Sequence, residues 1–137
     1  MFSGAAGAWA DDPVADGWWG DEPPFGAPVF VLTHHEREPL EKRGTTFFFA
    51  SDGIESAHAR ARDAAGDRNV LVAGGANTAQ QLLSAGLVDE IQLHLAPILL
   101  GGGVRLFEGL DPALRFEPTR VLASPLVTHV RYRVLQR

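Results

Sequence analysis

The chain has 137 residues, a formal net charge of -5, 45% hydrophobic residues and 21% charged residues. These values are typical of a single globular domain, and they exclude a general binder of nucleic acid or anionic membrane, since an acidic surface repels both. The chain has no cysteine, which excludes disulfides and thiolate metal sites. Because no signal peptide or membrane-spanning apolar run is found in the sequence, we expect a cytoplasmic protein without a membrane partner.

Residues 1–27 differ from the rest of the chain. They are rich in Gly, Ala, Asp and Pro, and they contain all the tryptophans, Trp9, Trp18 and Trp19. They show neither the 3.6-residue period of a helix nor the two-residue period of a strand. We therefore predict an irregular N-terminal segment over 1–27, with at least one indole packed on the body, and one α/β domain over 28–137.

The pattern becomes regular after Pro28. The apolar run Val29–Leu32 predicts a strand buried on both faces, and residues 45–49 are β-branched and aromatic, which predicts a second strand. The charged residues 34–44 between them predict a surface loop. Asp52 followed by Glu55 has the spacing of a capping box, with Asp52 as N-cap of a helix that ends at Gly66.

Residues 69–100 carry the clearest pattern in the chain. The apolar residues 70–73 predict a buried strand, and Gly74 and Gly75 predict a turn. The helix predicted after the turn has an apolar face formed by Ala79, Leu82, Leu83 and Gly86. Apolar residues alternate over 91–95, which predicts another strand. Residues 115–137 predict an antiparallel hairpin with Val130, Tyr132 and Val134 facing inward. Strands that alternate with helices predict a mainly parallel sheet, to which this hairpin adds an antiparallel edge.

The Gly74-Gly75 turn is the best candidate for a ligand site. A buried strand that ends in two glycines and opens a helix aims free N–H groups, around Ala76, Asn77 and Thr78, at whatever lies beside the turn. The positive end of the helix dipole favours an anion there, most simply a dinucleotide. The turn lacks the third glycine of G-x-G-x-x-G and the lysine of a P-loop. A tight turn that only requires positive φ is an equally good interpretation of these two residues.

The other candidate motifs are weaker indications of a functional site than the Gly74-Gly75 turn. The histidines are scattered along the chain, and the adjacent pair His34-His35 is poorly placed for chelation because neighbouring strand residues point to opposite faces. Neither H-E-x-x-H nor G-x-S-x-G occurs, so we expect no metal site and no hydrolase triad. Residues 101–103, all glycine, predict either a ligand loop or a plain bulge and turn. Arg131 and Arg133 alternate on what we expect to be a solvated strand face.

Three segments together resemble the dihydrofolate reductase-like family. They are residues 72–76 (VAGGA), 82–91 (LLSAGLVDEI) and 96–107 (APILLGGGVRLF). The branch that they resemble best is the C-terminal reductase domain of the bacterial bifunctional riboflavin deaminase-reductase. The resemblance implies a three-layer α/β fold with a mostly parallel central sheet and a bound NADPH. It also implies a hydride-transferring reductase whose small-molecule substrate is similar to 5-amino-6-(5-phosphoribosylamino)uracil.

The resemblance also assigns cofactor contacts. Gly74 and Gly75, with Ala76, Asn77 and Thr78, match the family's pyrophosphate site, and Leu32, Thr33 and His34 match the strand end beside the adenosine and its 2′-phosphate. His34 stands where many members have Arg. No catalytic acid can be assigned among the residues of this chain.

Met1-Phe2 resembles a pair that the family places after its first strand and helix. The resemblance therefore implies that an N-terminal strand and helix, with much of the substrate pocket, are missing. Because a sheet without that strand exposes unpaired backbone, we expect poor stability or a homo-oligomer. The alternative function is a non-catalytic nucleotide-binding or dimerisation module that retains only part of the cofactor site.

Overall fold

The computed structural model of the chain describes residues 20–135. The chain divides into two compact units, Met1–Leu71 and Val72–Arg137. The elements in chain order are β1 (Val29–Leu32), β2 (Leu40–Lys42), β3 (Thr45–Ala50), α1 (Ile54–Ala65), α2 (Ala76–Ser84), β4 (Glu90–Leu95), β5 (Arg115–Ala123) and β6 (Thr128–Leu135). Neither helix in residues 20–135 has the length and apolarity that crossing a membrane requires. The packing predicted for Trp9, Trp18 and Trp19 lies outside the described residues, and residues 20–27 contain no helix or strand.

The first unit contains a three-stranded sheet in the order β1-β3-β2. β1 pairs in parallel with β3, and β2 pairs with β3 in antiparallel orientation. The predicted strands at 29–32 and 45–49 are therefore confirmed, although β1 is half-buried rather than buried on both faces. The loop predicted over 34–44 is wrong in part, because it contains β2. That strand is only three residues long, too short for a period to reveal it.

The core of the first unit lies on β3. Phe47 and Ala50 are almost fully buried, and Thr45 is buried with its hydroxyl accepting a hydrogen bond of 3.0 Å from the N–H of Gly26. Since a buried hydroxyl is costly without a partner, this bond makes Thr45 acceptable in the core. Helix α1 packs against β1 and buries Ile54. The unit thus holds the carboxyl ends of β1 and β3 at one edge, next to the start of α1.

The capping box predicted at the start of α1 is wrong. Gly53 is the N-cap residue, with φ 102° and ψ 171°, and it makes no side-chain cap bond. The helix therefore begins one residue later than predicted, and Glu55 falls at the second helical position, where a reciprocal box cannot form. The oxygen Oδ2 of Asp52 instead accepts a hydrogen bond from the hydroxyl of Ser56.

The second unit contains a three-stranded antiparallel sheet in the order β4-β6-β5. This arrangement confirms the strand predicted at 91–95 and the closing hairpin. Val130 and Val134 are buried and Tyr132 is half-buried, as predicted, while Arg131 and Arg133 are exposed. The helix predicted after the Gly74-Gly75 turn is confirmed as α2, which buries Leu82 and Leu83.

β5 is an edge strand of this sheet, and its pairing with β6 is interrupted. The register shifts between Pro118 and Arg120, so Thr119 has no partner in the ladder. The hydroxyl of Thr119 donates instead to the carbonyl of Arg131, at 3.2 Å. The interruption therefore divides the nine residues of β5 into two shorter paired stretches.

The buried strand predicted over residues 70–73 is wrong. These residues have no strand partner among residues 20–135, and the side chains of Leu71 and Val72 are 87% and 43% exposed. An apolar run can be buried in a sheet only where neighbouring strands supply hydrogen bonds and cover. The described residues also do not form the mostly parallel sheet that we expected. Only the β1–β3 ladder among them is parallel.

Candidate functional site

The Gly74-Gly75 turn leads directly into helix α2. Both glycines are exposed, and Gly75 is the N-cap residue with φ 43° and ψ 140°. A side chain at Gly75 would therefore be strained by the backbone. A Cβ atom placed there would meet nothing within 4 Å. The space beside the turn is open, so a ligand can approach the backbone closely.

The start of α2 is free of negative charge. Its first turn contains no acidic residue, and no side chain caps it. The first N–H groups of a helix have no acceptor inside the helix, and they carry the positive end of its dipole. The oxygen Oδ1 of Asn77 accepts a hydrogen bond of 2.6 Å from Nε2 of Gln81, which holds the Asn77 side chain beside this turn. The residues present therefore fit a phosphate group.

A side chain of α2 also fixes the glycine-containing segment that follows β4. The amide nitrogen of Gln80 lies 2.8 Å from the carbonyl oxygen of Arg105 and 3.2 Å from that of Leu106. Residues 101–103, all glycine, come just before these carbonyls and are exposed. The Gln80 side chain thus ties α2 to the segment after the glycines within the second unit. The sequence analysis did not single out Gln80.

The second predicted group lies at the carboxyl end of β1, in the first unit. Leu32 is the last residue of β1 and pairs with Ala50. The N–H of Thr33 donates to the carbonyl of Ala50 at 3.0 Å, and the Thr33 hydroxyl accepts from the N–H of His35 at 3.1 Å. The side chain of His34 is exposed at this edge. In open α/β sheets, ligands gather at the carboxyl ends of parallel strands, which is where these residues lie.

The start of α1, at the same edge, carries a group of three interacting side chains that the sequence analysis did not connect, although it named Asp52. Asp52 accepts a hydrogen bond of 2.6 Å from the Ser56 hydroxyl, and Nη2 of Arg60 lies 3.5 Å from its Oδ1. The guanidinium of Arg60 also lies 5.7 Å from the centre of the Phe30 ring. The hydrogen bond from Ser56, more than the charge of Arg60, lowers the pKa of Asp52 from its ordinary value. The four-residue spacings of 52, 56 and 60 are the signal that could have identified this group.

The structure therefore places the predicted cofactor contacts in two groups. Leu32, Thr33 and His34 adjoin one another in the first unit, and Gly74, Gly75 and the first turn of α2 adjoin one another in the second. The first group lies at the end of a strand, as the sequence predicts, and the second at a glycine turn that opens a helix, without the predicted buried strand before it. The predicted contacts themselves remain predictions.

A family model of the RibD C-terminal domain matches residues 1–130. A segment of 41 residues is 51% identical to the riboflavin biosynthesis protein RibD of Corynebacterium ammoniagenes, and it covers 30% of this chain and 12% of that protein.

Two solved structures have a similar fold. A riboflavin biosynthesis protein from Shewanella sp. PV-4 superposes with a TM-score of 0.68 at 28% identity, over 84% of this chain and 64% of that one. A pyrimidine reductase-like protein from Corynebacterium diphtheriae gives a TM-score of 0.53 at 22% identity, over 68% of this chain and 40% of that one. The chain thus spans less than two thirds of the length of these relatives. The mixed α/β fold and the resemblance found in the sequence are confirmed, and the chain belongs to the RibD C-terminal domain family.

Proposed function

We propose that the protein is an NADPH-dependent reductase of the riboflavin-biosynthesis type. The observation that carries the proposal is the start of α2, where an exposed glycine turn leads into a helix whose first turn has no acidic residue. Membership of the RibD C-terminal domain family supports the same function. When bound, NADPH would supply a hydride to a carbon–nitrogen or carbonyl bond of a small heterocycle or phosphosugar derivative.

The start of α2 would bind the pyrophosphate of the cofactor. Gly75 has no side chain to hold the phosphates away from the backbone, and the N–H groups of Ala76, Asn77 and Thr78 would donate to the phosphate oxygens. Since this helix end has no acidic residue of its own, an incoming anion meets a positive dipole without repulsion from the first turn. These contacts orient the cofactor.

The carboxyl end of β1 would bind the adenosine side. The Thr33 hydroxyl accepts one hydrogen bond from the backbone of His35, and its own hydrogen remains able to point at a ligand. The exposed ring of His34 can donate to a phosphate from the same edge. A 2′-phosphate on the adenosine would therefore have two donors there, which favours NADPH over NADH.

The substrate we propose is similar to 5-amino-6-(5-phosphoribosylamino)uracil, in keeping with the riboflavin biosynthesis proteins that the chain is similar to. The role of this chain would be to hold the cofactor against the substrate, since the hydride chemistry belongs to the cofactor. We also propose that the working form is a homo-oligomer in the cytoplasm.

Thermal melting with NADPH and NADH tests the cofactor proposal. Because a ligand that binds only the folded state at 100 times its Kd stabilises by about 2.7 kcal/mol, we expect NADPH to raise the melting temperature by several degrees. NADH should raise it less. A melting temperature that neither nucleotide shifts would overturn the proposal. Binding of NADPH without its oxidation, when the aminouracil substrate is supplied to the protein, would instead favour the non-catalytic module.

A further inference from the structure

Two histidines that lie far apart in the sequence are direct partners in the second sheet. His94 of β4 pairs with His129 of β6. Their Nδ1 atoms are 2.5 Å apart, and the ring centres are 4.7 Å apart with the planes at 79°. His94 is exposed and His129 is half-exposed. Two imidazole nitrogens thus converge on one point at the surface of the sheet, and at most one hydrogen fits between them.

Two arginines lie near this pair on the same face of the sheet, Arg131 of β6 and its ladder partner Arg120 of β5, and the charge of Arg131 is held away from the rings. Arg131, two residues from His129 on the same strand face, directs its guanidinium to Gln92 at 3.3 Å and to Glu90 at 3.8 Å. Glu90 and Gln92 lie on β4 in the direction that leads away from His94. The positive charge of Arg131 is therefore compensated by a carboxylate, and a cation could approach the two rings without meeting it directly.

We propose that His94 and His129 form a binding site for a divalent transition-metal ion such as Zn²⁺, Ni²⁺ or Cu²⁺, with water as the remaining ligands. Imidazole is a preferred ligand of these ions, whereas Mg²⁺ and Ca²⁺ prefer oxygen. Among residues 20–135 there is no group of three or more His, Asp or Glu side chains that could hold a metal, so this site has two protein ligands. The proposal does not depend on the proposed reductase activity.

The geometry needs only a small adjustment to accept the ion. Two nitrogens at about 2.0–2.1 Å from a tetrahedral Zn²⁺ are about 3.3 Å apart. The Nδ1 atoms must therefore separate by roughly 0.8 Å from their present 2.5 Å, which small χ rotations of two exposed side chains can supply. The ion would replace the hydrogen between the rings and would join β4 to β6.

Calorimetric titration of the untagged, metal-free chain with Zn²⁺ tests the site. We expect one ion per chain, no binding heat with Mg²⁺, and a loss of affinity of about tenfold or more in His94→Gln and in His129→Gln. The control is His58→Gln on α1, which should bind Zn²⁺ as the unaltered chain does. Equal Zn²⁺ affinity in the unaltered chain and both sheet variants would overturn the proposal, as would the absence of binding.

A second measurement does not require either sheet variant to fold. Replacing His34, His35 and His58 by Gln leaves His94 and His129 as the only imidazoles of the chain. One equivalent of Cu²⁺ added to this variant should give an electron paramagnetic resonance spectrum with coupling to two nitrogens. Coupling to one nitrogen or none would show that the two rings do not share an ion, and would overturn the proposal.

Discussion

The two helices begin in similar ways but differ in charge. Each follows an N-cap glycine with positive φ, Gly53 for α1 and Gly75 for α2, and neither has a side-chain cap bond. The start of α1 has acidic residues, since Glu55 lies in its first turn and Asp52 precedes the N-cap. The start of α2 has none in its first turn. Helix α1 therefore supplies its own negative charge to its dipole, whereas α2 leaves that position for a ligand.

This difference shows why the paired glycines are not a sufficient sign of a phosphate site. A glycine N-cap with open space beside it occurs in both helices, and a Cβ at Gly53 would meet only Oε2 of Glu55, at 3.8 Å. What distinguishes α2 is the charge of the residues that follow. The comparison can be tested by adding charge to α2 or by changing the start of α1.

The largest effect is expected from Asn77→Asp in α2. The change conserves shape and can keep the bond from Gln81, and a carboxylate in the first turn favours the helix dipole. We expect unchanged or slightly raised stability, but NADPH affinity about 100-fold lower, because the new charge would lie beside the phosphates. Fluorescence titration with NADPH measures this loss. The control is Ser84→Asp, which adds the same charge at the last residue of α2 and should keep NADPH binding. Equal affinity of the unaltered chain and Asn77→Asp would show that phosphate does not bind here.

The second-largest effect is expected from Gly53→Ala, which strains the backbone at the start of α1. With φ 102° and ψ 171°, Gly53 occupies a region that is essentially restricted to glycine. Gly53→Ala should therefore lower the free energy of unfolding by about 1–3 kcal/mol, as measured by urea denaturation. Gly102→Ala is the matched control, because Gly102 does not have positive φ and a Cβ there meets nothing within 4 Å. If the two variants unfolded at the same urea concentration, the strain inferred at Gly53 would be wrong.

The smallest effect is expected from Ser56→Ala, which should change the pH at which the Asp52 carboxyl titrates. The pKa of this carboxyl is lowered from 3.8, mainly by the Ser56 hydroxyl. A carboxyl whose pKa is lower in the folded state stabilises the fold above its unfolded pKa, and this contribution is lost as the pH falls through the folded pKa. Ser56→Ala should raise the pKa of Asp52 towards its ordinary value. Carbon-13 NMR titration of the Asp52 carboxyl measures the change, and Ser84→Ala should leave it unaffected. An unchanged pKa in Ser56→Ala would rule out that hydroxyl as the cause.

Sequence patterns predicted the elements whose signals are local. The alternation over 91–95 identifies β4, the pattern over 115–137 identifies the hairpin, and the apolar spacing that includes Leu82 and Leu83 identifies α2. The start of α1 was predicted one residue too early, because Asp52 has the right chemistry for an N-cap but Gly53 has the backbone freedom. Local sequence patterns therefore predict the type of an element more reliably than they predict the residue at which it begins.

The errors involve interactions between distant segments. Residues 29–32 and 70–73 have almost the same apolar character, yet only the first run has a strand beside it among the described residues. A strand depends on its neighbours, and one segment cannot show whether they exist. The same reason explains why His94 and His129, 35 positions apart, were considered as separate residues. Only the register of β4 against β6 brings them together.

The interruption in β5 has a consequence for how the protein behaves at high concentration. A long, regular edge strand is a template on which other chains can pair and aggregate. Pro118 has no N–H to offer, and the register shift after it breaks the row of backbone groups in the middle of the strand. A second chain could therefore pair with only a short stretch of β5 at a time. We therefore expect this edge of the sheet to resist amyloid-like growth.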